Sequence, residues 1–151
     1  MKTLIAIVTT FILLCLNSCC TKKDCQGIEN LNTVQISNFS KLDADSIAVE
    51  IFENGSNFNT RLDCVYTSAI FETSGNLEST IQLSENVDIN HDYKITFLRL
   101  GKVYTLTSFE TEKITCNTCF PYHPANDYYN KLVSYSVNGL QQNSSELTIS
   151  K

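Results

Sequence analysis

The sequence predicts an all-β protein: about seven to eight short strands in an antiparallel β-sandwich or barrel. Three observations carry this. Apolar and polar residues alternate with a period of two in stretch after stretch. Helical periodicity is weak almost everywhere. Residues that tolerate positive φ separate the runs at the spacing of short strands.

The elements follow in order. Val34-Gln35-Ile36-Ser37 opens the pattern, and Ile47, Val49 and Ile51 then alternate with Ala48, Glu50 and Phe52. Cys64 to Phe71 is a third, less regular run, and Ile81 and Leu83 flank Gln82 in a fourth. Tyr93, Ile95 and Phe97 alternate with Lys94 and Thr96, Val103 to Phe109 is rich in Thr and aromatics, Val133, Tyr135 and Val137 alternate with serines, and Leu147 and Ile149 finish the chain. Between them lie Asn54-Gly55-Ser56-Asn57, Ser74-Gly75-Asn76, Leu100-Gly101-Lys102 and Asn138-Gly139, all suited to tight turns. Phe97 to Val103 is the clearest hairpin. No strand reads as buried on both faces, so each sheet is expected to pack on one face.

The first residues stand apart from this pattern. Lys2 gives a positive start, Leu4 to Leu16 run apolar for 13 residues, and Leu16-Asn17-Ser18-Cys19 follow. A helix of that length reaches ~20 Å, short of the ~30 Å hydrocarbon core. The segment has the form of a secretory signal, and with Cys19 it resembles a bacterial lipoprotein signal and its lipobox. The resemblance implies removal of residues 1–18, acylation of Cys19, a short polar tether over residues 19–31 and a folded domain over 32–151. Cys20 is a poor rival for the lipid, since Asn17 would then occupy the apolar lipobox position. Several acyl chains give stable anchoring where one does not, so the implied address is the cell envelope, at the outer membrane. Surface export in lipoproteins of the Bacteroidota is marked by acidic residues after the cysteine. Lys22-Lys23-Asp24 departs from that pattern and favours the periplasmic face over the cell surface.

Without its leader the chain keeps one domain's worth of residues, enough for a true core. Losing Lys2 takes the net charge from −5 to −6. An acidic chain whose only arginines are Arg61 and Arg99 argues against nucleic acid as a partner. Apolar and β-branched residues spread throughout the chain, which argues against disorder beyond the tether.

Thr33 to Asn59, Asp92 to Glu112 and Lys131 to Gly139 also resemble small Bacteroidota lipoproteins of unknown function. The matching features are Val34-Gln35-Ile36-Ser37-Asn38-Phe39, Asp45-Ser46-Ile47, Gly55-Ser56-Asn57-Phe58, Asp92-Tyr93-Lys94-Ile95 and Ser134-Tyr135-Ser136-Val137-Asn138-Gly139. The resemblance implies a transthyretin-like or immunoglobulin-like sandwich and brings no catalytic residue with it. Asp45-Ser46-Ile47 is also similar to the O-glycosylation triplet of that phylum, which would put a glycan on Ser46. The simpler reading is a polar turn entering a strand.

Seven cysteines are present. Cys15 leaves with the signal, Cys19 takes the lipid, and Cys20 sits in the tether. Cys25, Cys64, Cys116 and Cys119 remain as disulfide candidates with three pairings open, in a compartment that permits disulfides. Cys116-Asn117-Thr118-Cys119 has the spacing of a redox pair, but Pro121 and Pro124 leave little room for the helix that would lower a thiol pKa. Cys116, Cys119 and His123 have the spacing of metal ligands, yet they make only one ligand pair where zinc sites show two. No metal and no cofactor are therefore expected.

Asp88-Ile89-Asn90-His91-Asp92 begins like a calcium loop. The positions that should be Gly and Glu are Tyr93 and Arg99, so a solvated turn is expected instead. No catalytic motif occurs, and the chain is not expected to be an enzyme. Phe120, Tyr122, Tyr128 and Tyr129 fall in a polar loop from Cys119 to Asn130. They read either as a binding surface or as rings closing one end of the sandwich. The function these readings imply is a lipid-anchored, non-catalytic envelope module. It meets the membrane through its lipid and binds or scaffolds an envelope protein or a glycan. An envelope thiol or metal protein built on Cys116, Cys119 and His123, and a surface glycan-binding adhesin-like module, are the alternatives.

Overall fold

The structure is a computed structural model that describes residue 25 and residues 27–71, 78–116 and 128–151. The signal segment, Cys19, Cys20, the Ser74-Gly75-Asn76 turn, Cys119, Phe120, Tyr122 and His123 lie outside the described residues. The chain divides into two compact units, Met1–Cys25 with Thr115–Tyr128, and Gln26–Ile114 with Tyr129–Lys151. In the first, Cys25 and Cys116 form a disulfide. The second is an all-β sandwich.

A short 3-10 turn, Ile28–Asn30, leads into ten strands: β1 (Thr33–Ser37), β2 (Ile47–Glu53), β3 (Arg61–Thr67), β4 (Ala69–Phe71), β5 (Glu78–Gln82), β6 (His91–Phe97), β7 (Lys102–Thr115), β8 (Tyr128–Val137), β9 (Leu140–Gln142) and β10 (Leu147–Ser150). They form a four-stranded sheet, β10-β1-β5-β4, and a six-stranded sheet, β3-β2-β6-β7-β8-β9. The period-2 runs do what their pattern dictates. Val34 and Ile36 of β1, Ile81 of β5, and Leu147 and Ile149 of β10 turn inward from the smaller sheet. Val49, Ile51, Ile95, Phe97, Leu106 and Tyr135 turn inward from the larger, and all are buried in one core. Phe39 stacks on Phe97 with ring centroids 4.3 Å apart, and Tyr104 meets both rings edge-on.

The hairpin between β6 and β7 forms as expected, with Gly101 at φ 64°. Asn138 and Gly139 both take positive φ and join β8 to β9 by a two-residue loop, the geometry that matches strand twist.

Five features depart from the sequence reading. β1 and β10 pair in parallel, so the smaller sheet is mixed. A parallel pair cannot be joined by a hairpin, and here its partners are the first and last strands. The Cys64–Phe71 run is two strands in different sheets, broken at Ser68, where the Ala69 N–H donates to the Ala44 carbonyl at 2.9 Å. β9 was not expected; its Leu140 is 70% exposed and carries no core signal. β2 is buried on both faces. It lies between β3 and β6, and the turn after it returns Phe58 against Phe52, ring centroids 5.2 Å apart. Finally, the tether expected over residues 19–31 includes Ile28, which the core holds at 4% exposure.

The free edge of β10 is closed by one side chain. The Tyr135 hydroxyl accepts from the Thr148 N–H at 2.7 Å and donates to the Glu146 carbonyl at 3.0 Å. The ring beneath is fully buried.

Candidate functional site

A cleft of about 520 Å³ opens along the β3 side of the sandwich, lined by β2, β3, β6 and the segment after β5. Its floor is apolar: Val49 and Ile51 of β2, Tyr93 of β6 and Leu83 are all buried.

The wall from β3 is built by an irregularity. Ile51 pairs with Asp63 but Phe52 pairs with Arg61, which leaves Leu62 as an extra residue in β3. A bulge of this kind re-aims side chains, and Leu62 and Asp63 both line the cleft. The opposite wall is the segment from Leu83 to Asp88. Its ends are tied down: the Leu83 N–H donates to the Asn32 carbonyl at 2.8 Å and the Val87 N–H to the Leu31 carbonyl at 2.7 Å. Leu83 and Val87 go into the core, so Ser84, Glu85 and Asn86 between them stand in solvent on the cleft wall.

Asp88 closes that wall. Its N–H donates to the Tyr93 hydroxyl at 2.8 Å, and its Oδ1 accepts from the Asn90 backbone and side chain at 2.8 and 2.9 Å. His91 Nδ1 lies 4.0 Å from Asp88 Oδ2. Burial pushes the Tyr93 phenol above its ordinary pKa; the Asp88 N–H acts against this, while the negative charges of Asp88 and Glu85 add to it.

The charges of this cleft differ from those elsewhere in the sandwich. Glu50, on the outer face of β2, has Lys94 at 2.6 Å and Arg61 at 3.2 Å, and the Lys94 contact holds its carboxyl below the usual range. Asp45 meets Arg99 at 3.0 Å. Asp43 meets Lys151 at 2.7 Å, and that bond with the Ser40 contacts lowers its pKa to about 2. Among the described residues the cleft is lined by Asp63, Glu85 and Asp88 and by no lysine or arginine. Among the described residues none of these three carboxylates has a lysine or arginine ion pair. The cleft thus has an apolar floor and an acidic wall, with His91 beside Asp88 as its one described group that can become cationic.

The residues singled out from the sequence are placed as follows. Of the four disulfide candidates, Cys25 and Cys116 are bonded to each other and Cys119 lies outside the described residues. Cys64 is a free, half-buried thiol on β3, opposite Glu50. The redox and metal arrangements also need Cys119 and His123, which lie outside the described residues. Ser46 is half-buried in the bend before β2, where its carbonyl accepts from the Leu98 N–H at 3.0 Å, which is the polar turn entering a strand. Tyr128 and Tyr129, expected in a loop, are the first residues of β8; Tyr128 is exposed and Tyr129 half-buried.

In the Asp88–Asp92 segment the acids are engaged locally. Asp88 holds Asn90, and Asp92, on the other face of β6, accepts from the Gly55 N–H at 3.1 Å. Among the described residues no group of three His, Cys, Asp or Glu side chains is arranged to hold a metal ion.

The cleft itself was not read from the sequence, because it joins residues from β2, β3, β6 and a loop. One signal was present: Ser84 to Asp92 carries three acids and no lysine or arginine. No protein-family model matches the chain, and no curated protein or solved structure is significantly similar to it.

Proposed function

We propose that the chain is a lipid-anchored protein of the cell envelope whose β-sandwich is a non-catalytic binding or scaffolding module. The observation that carries this reading is the order Lys2, apolar Leu4 to Leu16, then Leu16-Asn17-Ser18-Cys19, which resembles a lipoprotein signal. Acylation of Cys19 would attach the domain to the outer membrane, on its periplasmic face, through the few residues before Ile28. The Cys25–Cys116 disulfide supports an exported address, since such bonds persist in oxidising compartments. The cleft supports binding: it is concave, apolar at its floor and edged by a few polar groups, as small-ligand sites are.

The test is metabolic labelling with an alkyne-bearing palmitate, followed by intact-mass measurement and membrane fractionation. The wild-type chain should take up label, begin at Cys19 and sediment with membranes. Cys19→Ala should lose the label. An unlabelled wild-type chain starting at another residue would overturn the anchor. Protease treatment of intact and lysed cells then assigns the leaflet, with protection until lysis expected.

A further inference from the structure

We propose that the cleft walled by Leu62, Asp63 and the Leu83–Asp88 segment binds a ligand with an apolar body and a protonated amine or guanidinium. This rests on the reading of the sandwich as a binding module and not on its anchor.

Size comes first. A cleft of about 520 Å³ lies within the ~300–1,000 Å³ of small-ligand sites, and it accepts a chain or ring of several carbons. Shape and chemistry come next. Val49, Ile51, Leu83 and the Tyr93 ring are fixed by the core they also belong to, so the floor exists before a ligand arrives. Leu62 is half-exposed on the wall because the bulge leaves it without a cross-strand partner, and an apolar ligand body would cover it.

Charge then selects the ligand. Asp63, Glu85 and Asp88 face one space, while Glu50, Asp45 and Asp43 elsewhere each hold a lysine or arginine. The cleft carboxylates keep free lone pairs. Asp63 uses Oδ1 on the Cys64 N–H at 2.7 Å, and Asp88 uses Oδ1 on Asn90. The fields of Asp88 and Glu85 both reach the Tyr93 hydroxyl, so the negative potential extends from the wall to the floor. An anion would meet repulsion there and a neutral apolar molecule would gain nothing from the wall's carboxylates. A cation on an apolar body gains from both surfaces.

The amine can belong to a small molecule or to a lysine side chain of a polypeptide. The full chain, purified in detergent, is titrated calorimetrically with 1-aminohexane, hexan-1-ol and hexanoate, which share one apolar body. Acetyl-Leu-Lys-Leu-amide is the polypeptide arm. The amine is expected to bind, the alcohol more weakly, and hexanoate not at all. Glu85→Gln and Asp88→Asn, which keep the local hydrogen-bond acceptors, should each weaken amine binding about two- to fivefold, the range of a partly exposed ion pair. The exposed, remote Glu112→Gln should leave it unchanged. Raised salt should weaken amine binding further. Tighter binding of the peptide than of the free amine assigns a polypeptide source, and the reverse assigns a small molecule; either upholds the ligand class.

The proposal is overturned if amine and alcohol bind alike, if neither the amine nor the peptide binds, or if binding is unmoved in both cleft variants. The anchor fails separately: an unacylated Cys19 would leave this titration unchanged, and absent amine binding would leave palmitate labelling unchanged.

Discussion

Two buried tyrosines, Tyr93 and Tyr135, pack on the same ring, Phe109, and do different work. Phe109 meets Tyr93 edge-on at 5.8 Å and lies nearly parallel to Tyr135 at 6.3 Å. Both phenols bond to backbone. Tyr135 uses its oxygen on the Thr148 N–H and its proton on the Glu146 carbonyl, so its bonding is complete and the β10 edge is closed. Among the described residues Tyr93 accepts only from the Asp88 N–H, and it lines a cleft between carboxylates. The same residue type seals one side of the sandwich and forms the floor of an opening on another. What differs is how much of the hydroxyl the fold consumes.

The largest expected effect sets the scale for both tyrosines. Replacing Cys25 and Cys116 together by Ala should cost about 4–5 kcal/mol, since the bridge closes a loop with a sequence separation of 91 and acts chiefly on the unfolded chain. Urea unfolding would show it, and amide exchange at Thr148 and Asp88 should accelerate together. Exchange that accelerates at only one of them would mean the two tyrosine regions do not unfold as one.

Tyr135→Phe comes next, at about 1–3 kcal/mol, because an N–H and a carbonyl both lose their partner at a strand edge. Tyr93→Phe should cost less, about 1 kcal/mol, since only the Asp88 N–H is released beside solvent. Urea midpoints with unchanged m-values test this order. An equal or larger loss at Tyr93 would remove the contrast between a consumed and a half-used hydroxyl.

A smaller effect separates carboxylates that hold the fold from those that do not. The Glu50 carboxyl is lowered in the folded state, chiefly by the Lys94 bond. Its stabilisation is therefore present above the ordinary value of 4.5 and is lost as pH falls through the folded pKa. Glu50→Gln should cost up to about 1 kcal/mol near neutral pH and flatten the acid limb of the stability curve. Glu85→Gln should alter stability near neutral pH by no more than about 0.5 kcal/mol. Denaturant titrations at stepped pH would measure both.

The smallest effect is spectroscopic. The Tyr93 phenol is raised by burial and then by the Asp88 and Glu85 charges, so its stabilisation is full below the ordinary value of 10.0 and is lost as pH rises through the folded pKa. Ultraviolet titration should show late phenols at Tyr93 and Tyr104, both raised by burial, and Glu85→Gln should move the Tyr93 one earlier. No shift would mean that the charge of Glu85 does not reach the floor of the cleft.

Most of the strands were legible because their signals are local. Val34 to Ser37 and Tyr93 to Phe97 alternate cleanly, and Asn138-Gly139 supplies a turn that needs positive φ at two successive residues. The misses have non-local causes. Nothing near Leu147 says that it pairs in parallel with Val34. β2 reads as one-sided until Phe58 returns across its outer face. Ser108, at φ 55°, breaks the alternation of β7, and Phe109 beyond it packs against the core between the two tyrosines. The cleft was the least legible feature, because Leu62 is set on its wall by a bulge, and bulges are not written in period-2 patterns.

By itself, the sequence determined the class of fold and the order of most elements, along with the resemblance of its first residues to a lipoprotein signal. Those depend on hydrophobic period, turn chemistry and one short motif, each contained in a few consecutive residues. Tertiary structure alone decided which strands share a sheet, which cysteine Cys25 joins, and which acids stand without a cation. Each of these depends on the distance between residues far apart in the chain, and only the packed core fixes that distance.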